Sequence, residues 1–224
     1  MAIFVVRNLI NSIIMKKIIV ILSAALMLLA GTNAFAQMSV GAGYVNSTDA
    51  VKFSKNDDAS TNVINGFYAG VGYTLPVSAG LNFTPGVYYE FLTKKDVASL
   101  GGLTASGTLT EHYLNVPLHF SYGASPAAGV RIFVFAGPTA KLGLASTTDS
   151  NAAIGGISLG GETDNFGSDY GRFDIMLGGG AGLEFSSFRL TVGYDYGLLN
   201  RYTGSSDSIT RHTSRLHVGL GFLF

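Results

Sequence analysis

The chain has 224 residues, 12% of them charged and 47% hydrophobic, with 14 basic and 14 acidic side chains. It contains no Cys, which excludes disulfides, Cys-ligated metals, thiol catalysis and a lipid attached at a cleavage-site Cys. The charge balance gives no electrostatic case for nucleic acid, and past the amino-terminal region no apolar run approaches the roughly 20 residues that a membrane helix needs.

At the start of the chain, Met15-Lys16-Lys17 supplies a positive segment, residues 18–29 an apolar stretch, and Ala34-Phe35-Ala36 a small-x-small site before Gln37. That layout predicts a signal peptide cleaved after Ala36. A single anchor over residues 3–29 is the competing interpretation, but Arg7, Asn8, Asn11, Lys16 and Lys17 interrupt it and Met15 restarts the pattern. Residues 1–14 are therefore expected to be an upstream extension. Residues 37–224 are then one domain of 188 residues with formal charge −3, since the removed part holds three bases and no acid.

High apolar content without long apolar runs is what alternation with a period of two produces. Eight segments alternate in this way. Residues 39–46 place Val40, Ala42 and Tyr44 on one face, and residues 64–75 place Phe67, Ala69, Val71, Tyr73 and Leu75. Residues 81–93 oppose Phe83, Val87, Tyr89 and Phe91 to Asn82, Thr84, Gly86, Tyr88 and Glu90. Residues 108–122 oppose Leu114, Val116, Leu118, Phe120 and Tyr122 to Glu111, Tyr113, Asn115 and His119. In residues 130–144 the face opposite Ile132, Val134, Ala136, Ala140 and Leu142 is mixed, with Arg131 and Lys141 beside Phe133 and Phe135. Residues 170–185 set Arg172, Asp174 and Glu184 among glycines against Phe173, Ile175, Leu177, Leu183 and Phe185. From Phe188 to Leu198 the apolar face opposes Arg189, Thr191, Gly193, Asp195 and Gly197, and residues 213–224 end the chain with Leu216, Val218, Leu220, Phe222 and Phe224 opposite Arg215, His217, Gly219 and Gly221.

Short turns at 76–80, 125–129 and 186–187 alternate with long polar stretches at 47–63, 94–107, 145–169 and 200–212. Long and short connections on opposite ends, with 30 Gly, 15 Phe and 11 Tyr, predict an all-β, eight-stranded antiparallel up-and-down transmembrane barrel. Closure would satisfy every backbone group, the condition for strands to cross lipid. The polar residue, Gly and two spaced aromatics at the end (His217, Gly219, Phe222, Phe224) are similar to the assembly signal of bacterial outer-membrane barrels.

The segments Tyr113-Leu114-Asn115-Val116-Pro117-Leu118, Phe135-Ala136-Gly137-Pro138 and Gly193-Tyr194-Asp195-Tyr196-Gly197-Leu198-Leu199-Asn200 resemble the outer membrane protein β-barrel family of Bacteroidota, the PorT-like small barrels. The resemblance covers most of the mature chain and implies a porin-like outer-membrane barrel; it brings no catalytic residue, since most such barrels have no assigned activity. Some relatives act in protein secretion, which the resemblance leaves open here.

The inward faces collect Glu90, Glu111, Asp174, Glu184 and Asp195 against Arg131, Lys141, Arg172, Arg189 and Arg215, with His119 and His217 nearby. Near-equal signs in a barrel just wide enough for side chains predict a salt-bridged plug rather than a charge-selective conduit. Rim residues His112 and His212 have hydroxyls and carboxylates near them in sequence, but a lipid-modifying enzyme needs these to converge in space. The loop acids Asp49, Asp57, Asp58, Asp149, Glu162, Asp164, Asp169 and Asp207 lack the regular spacing of a calcium loop and are expected to be solvated. Gly101-Gly102, Gly155-Gly156 and Gly160-Gly161 lack the strand-to-helix setting of a phosphate loop, and Tyr44, Tyr73, Tyr89, Tyr122, Tyr194 and Tyr196 suit interfacial girdles.

The expectation is thus a monomeric outer-membrane barrel with a structural or surface-interaction role and no catalytic residue, metal or cofactor. Its partners would be outer-membrane lipid, the barrel assembly machinery through the last strand, and an extracellular protein or glycan through the loops. A small-solute channel is the alternative, followed by a lipid-modifying enzyme, a secretion-system component and, for the fold, a soluble periplasmic β-sandwich.

Overall fold

The computed structural model describes residues 37–53, 58–100, 103–154, 157–167, 170–204 and 208–224. The expected signal peptide lies outside them, as do Asp57, Gly101-Gly102, Gly155-Gly156, Asp169 and Asp207. The strands are β1 (Gln37–Lys52), β2 (Ser60–Ser78), β3 (Leu81–Leu100), β4 (Leu103–Ala127), β5 (Val130–Ile154), β6 (Ile157–Asp164), β7 (Phe173–Phe185), β8 (Phe188–Gly197) and β9 (Thr210–Leu223). All neighbours pair antiparallel, and β1 pairs with both β2 and β9. Because β5 pairs with both β4 and β7, eight strands close a ring while β6 lies beside the outer part of β5 alone. The closed antiparallel barrel is the architecture that the alternation predicts.

The alternation also sorts the two faces in the reverse of the soluble order. Phe67 is 67% exposed and Leu220 57%, whereas Glu90 and Asp195 have no exposure at all. An apolar exterior around a polar interior costs free energy in water and is what a bilayer requires. On β1 the apolar outward positions Met38, Val40, Ala42 and Tyr44 give way to Asn46 and Thr48, so the membrane-crossing part of that strand ends near Tyr44.

Tight turns close one end. Gly80 (φ 77°) and Gly129 (φ 74°) take the left-handed conformation that tight hairpins need and that a side chain would strain. Ser186 adopts it too (φ 53°), and its amide donates to the Gly129 carbonyl at 2.7 Å. At the opposite end the expected loops 94–107 and 145–169 are largely strand instead. The β3–β4 ladder continues out to Leu100↔Leu103, and the β5–β6 ladder runs from Thr147↔Asp164 to Ile154↔Ile157. These extensions mix polar and apolar residues on both faces, as at Lys94, Lys95, Asp96, Val97 and Ala98, so the hydrophobic period that marks a half-buried strand is absent while backbone pairing persists.

Candidate functional site

Among the described residues the barrel interior concentrates charge, in three layers along the axis. In the layer nearest the turns, Arg131, Glu184 and Arg189 sit side by side because Arg131↔Glu184 and Glu184↔Arg189 are register partners. Arg189 donates to Glu184 Oε1 through Nε at 2.8 Å, with its Nη2 2.7 Å from that oxygen as an ion pair, and Arg131 Nη1 reaches the same oxygen at 3.4 Å. Two guanidinium groups thus share one carboxylate. Arg189 also donates to Thr74, and Arg131 lies over the Phe133 ring.

The middle layer is a chain of buried charges, with Glu90, Lys141 and Asp195 sealed from solvent. Glu90 accepts from Lys141 Nζ at 2.9 Å on Oε1, and from Arg215 Nη1 at 2.7 Å and Asn115 Nδ2 at 3.2 Å on Oε2. Arg215 continues to Asp195 Oδ2 through Nε at 3.0 Å and Nη2 at 2.5 Å, with His217 Nε2 3.4 Å from the same oxygen. Lys141 caps the Tyr113 ring at 3.9 Å. Burial penalises each ion, and charge-assisted hydrogen bonds to several partners offset that penalty. Asp174 stands opposite Lys141 in register, but the lysine turns to Glu90, so Asp174 accepts the Leu199 amide at 3.2 Å instead.

The third layer caps the hairpin end. Asp49 accepts from Arg211 Nη2 at 2.6 Å, Thr213 Oγ1 at 2.5 Å and Tyr170 Oη at 3.3 Å. Arg201 is buried, donating to the Gly171 carbonyl, Thr213 and Tyr113, and stacks 4.2 Å from the Tyr170 ring centre. Arg211 approaches the Tyr170 ring at 3.7 Å, and Phe166 stacks on it at 5.2 Å. A backbone bridge from Tyr170 to Tyr202 ties the two connections together above the barrel. Burial would raise the Asp49 carboxyl, but the Arg211 guanidinium and the Thr213 hydroxyl beside it hold it below its ordinary value of 3.8. Glu111 faces this layer and accepts from Ser146 Oγ at 3.0 Å.

Of the twelve residues proposed from sequence for a lumen network, Glu184, Arg131 and Arg189 meet in the first layer, and Glu90, Lys141, Arg215, Asp195 and His217 in the second. Asp174 and Glu111 are buried with other partners, and His119 stacks on Phe135 at 5.2 Å with Nε2 3.3 Å from the Thr139 hydroxyl. Arg172 is a correction. It precedes β7, its side chain is 44% exposed, and it bonds the Leu144 carbonyl at 3.0 Å and lies over Phe166. The inward parity of Asp174 does not extend to it, because the strand begins one residue later. Asp49, expected to be a solvated loop acid, is a second correction: β1 runs on past it and it faces inward.

The cap residues Arg201, Arg211, Thr213 and Tyr170 were not among the expected site residues. Extending the inward parity of Arg215 and His217 backward along β9 reaches Thr213 and Arg211; Arg201 and Tyr170 lie outside the strands and carry no periodic signal. At the rim, His112 Nδ1 meets the Tyr89 hydroxyl at 2.5 Å, and His212 Nδ1 meets the Gly197 carbonyl at 3.1 Å while its ring stacks on Tyr196. These contacts bring no carboxylate, Ser or Thr to either histidine. Among the described residues no group of three or more metal-ligating side chains converges. In the last strand, His217 and Gly219 face inward, Phe222 and Phe224 outward, and the Phe224 amide closes onto the Met38 carbonyl at 2.9 Å.

Residues 32–202 match the family model of the outer membrane protein beta-barrel domain. Among solved structures, the chain is similar to the attachment invasion locus protein Ail of Yersinia pestis, at 18% identity over 84% of this chain and 99% of that one, TM-score 0.36. It is similar to Neisserial surface protein A at 16% identity, over 84% and 97%, TM-score 0.36. The N-terminal β-barrel domain of Pseudomonas aeruginosa OprF follows at 15% identity, over 81% and 97%, TM-score 0.26. No curated protein matches.

Proposed function

Because this chain belongs to the outer membrane protein β-barrel domain family and resides in the bacterial outer membrane, we propose that it is a plugged barrel whose extended hairpins bind an extracellular protein or glycan. One observation carries this. β4 and β5 are 25 residues each, more than twice the roughly 9–11 that a membrane strand needs, whereas β8 is 10. The surplus forms a four-stranded polar sheet of β3, β4, β5 and β6, beyond the last β2–β3 pair, Asn65↔Thr93. On its far side β6 carries no paired strand among the described residues, and unpaired strand edges are templates for a partner's backbone.

In this reading the short turns face the periplasm and the hairpins face outside, as in barrels of this kind. Residues 1–36 are an extension plus a signal peptide, and residues 37–224 the barrel. The motifs on β4, β5 and β8 support placement with the PorT-like barrels of Bacteroidota. The protein works as a monomer in outer-membrane lipid and meets the barrel assembly machinery through His217, Gly219, Phe222 and Phe224. In this reading it is not an enzyme; His112 meets the Tyr89 hydroxyl and His212 the Gly197 carbonyl.

The test is whole-cell binding to arrays of matrix proteins and glycans, comparing the unmodified protein with a variant in which the β5–β6 hairpin is cut back to a short turn. Loss of binding by a variant that still shows the heat-dependent gel mobility of a closed barrel supports the reading; equal binding overturns it. Single-channel recording separates the channel alternative, because the plug predicts silence and discrete openings of the unmodified protein would make transport the function.

A further inference from the structure

Between the turn-end and middle charge layers the barrel is not filled. A cavity of about 130 Å³ remains there, walled by Tyr68, Tyr88, His119, Phe133, Phe135 and His217. Part of the space exists because glycines leave it. A Cβ on Gly41 would come no nearer than 3.4 Å to another atom and one on Gly221 no nearer than 3.6 Å, so a methyl group there would fit without a clash. Elsewhere on the inner wall the opposite holds, and at Gly182 and Gly219 an aromatic ring already occupies the space. The hollow is therefore local, and large enough for one benzene-sized molecule by comparison with an engineered cavity of about 150 Å³ that binds benzene.

Its chemistry is asymmetric. The side walls are aromatic, with Tyr68 and Tyr88 edge to face at 5.8 Å and His119 stacked on Phe135 at 5.2 Å. The two ends are guanidinium groups, Arg189 and Arg215. Arg215 commits Nε and one N–H on each terminal nitrogen to Glu90 and Asp195, and Arg189 uses Nε and Nη2, so both retain N–H donors. At the turn end Arg131 and Arg189 share Glu184, leaving one positive charge uncompensated within that layer. That layer is also the wetter one, its three charged side chains being 12–15% exposed while those of Glu90 and Lys141 are sealed.

Going beyond the role of the outer hairpins, we propose that the turn-end half of the barrel is a blind vestibule, entered from the periplasm past Arg189, that binds a small aromatic carboxylate. The flat ring packs between the Phe133–Phe135 and Tyr68–Tyr88 walls, and the carboxylate takes the free N–H groups of Arg189. The middle layer, where Glu90 binds Lys141 and Arg215, stops passage further, so the ligand is held and not conducted.

The probe is benzoate, titrated calorimetrically into the full chain purified from outer membranes in detergent, with toluene and acetate in parallel. Saturable one-to-one binding of benzoate is expected, at least tenfold tighter than either comparison molecule. Arg189→Gln should weaken benzoate at least tenfold and leave toluene unchanged; Gly41→Leu, which fills the hollow, should abolish both. Contacts between benzoate and the ring protons of Phe133 and Phe135, read by magnetic resonance on the unmodified protein, locate the site without relying on a variant. Benzoate binding no tighter than toluene, no saturable binding because the cavity holds water, or contacts lying elsewhere would each overturn the proposal.

Discussion

Glu90 on β3 and Arg215 on β9 lie 125 residues apart in the chain and 2.7 Å apart at the centre of the barrel, with Lys141 completing the group at 2.9 Å. Deleting the acid leaves Lys141 buried without a carboxylate and Arg215 with Asp195 alone, which costs more than losing the pair itself. Glu90→Ala is expected to destabilise the folded barrel by about 3–5 kcal/mol, measured as a fall in the urea midpoint of refolding in detergent. Replacing Glu90, Lys141, Arg215 and Asp195 together by Leu, Met, Met and Leu removes the layer's charges with their penalty, and is expected to leave stability near that of the unmodified protein. A single variant more stable than the quadruple one would show that the pair is solvated.

Gly182 faces Phe133 directly across the β5–β7 ladder, and a Cβ on it would enter the phenyl ring. Gly182→Ala should therefore cost about 1–3 kcal/mol through overpacking. Phe133→Leu in the same chain should recover most of that loss. If the second substitution adds a further loss, the backbone and not the ring sets the need for glycine.

The eight strands of the ring, the inward residues of β3, β4, β8 and β9, and the alternation of turn and hairpin ends were all legible, because lipid outside and charge inside impose opposite chemistry on successive residues. Even the mixed inner face of β5 resolves simply: Phe133 and Phe135 fill room left by Gly182 and Gly180, and Lys141 reaches Glu90. What escaped lies where that contrast fades. Outside the membrane both faces of β4 and β5 meet water, so their continuation past Thr108 and Ala145 carried no period. The cap depends on Arg201 and Tyr170, whose partners Thr213 and Asp49 come from opposite ends of the chain, and no local pattern announces such a meeting.

Asp49 binds Arg211, Thr213 and Tyr170 as a carboxylate and is held below its ordinary value of 3.8. A depressed acid contributes stability that is complete above the unfolded value and lost as pH falls through the folded one. The cap should hold at neutral pH and loosen only below about pH 4. Limited proteolysis of the 165–171 and 198–210 connections across that range checks it. Asp49→Asn should make both connections labile at neutral pH and remove the acid-dependent step.

Arg172 and Arg201 provide a paired control. Arg201→Ala removes a buried guanidinium that bonds Gly171, Thr213 and Tyr113, and is expected to cost about 2–4 kcal/mol and to speed cleavage of the same connections. Arg172→Ala removes an exposed side chain at the rim, with an expected change of no more than about 0.5 kcal/mol. Equal effects would place both arginines in one network.

The pairing of β1 with β9, running from Ser39↔Leu223 to Lys52↔Thr210, imposes an order in time. The first strand of the ring has its second neighbour in the last strand of the ring, so a growing chain presents an unsatisfied edge until β9 has been made. Insertion strand by strand would bury that edge in hydrocarbon. Closure of the ring and burial of its strands in lipid are therefore coupled.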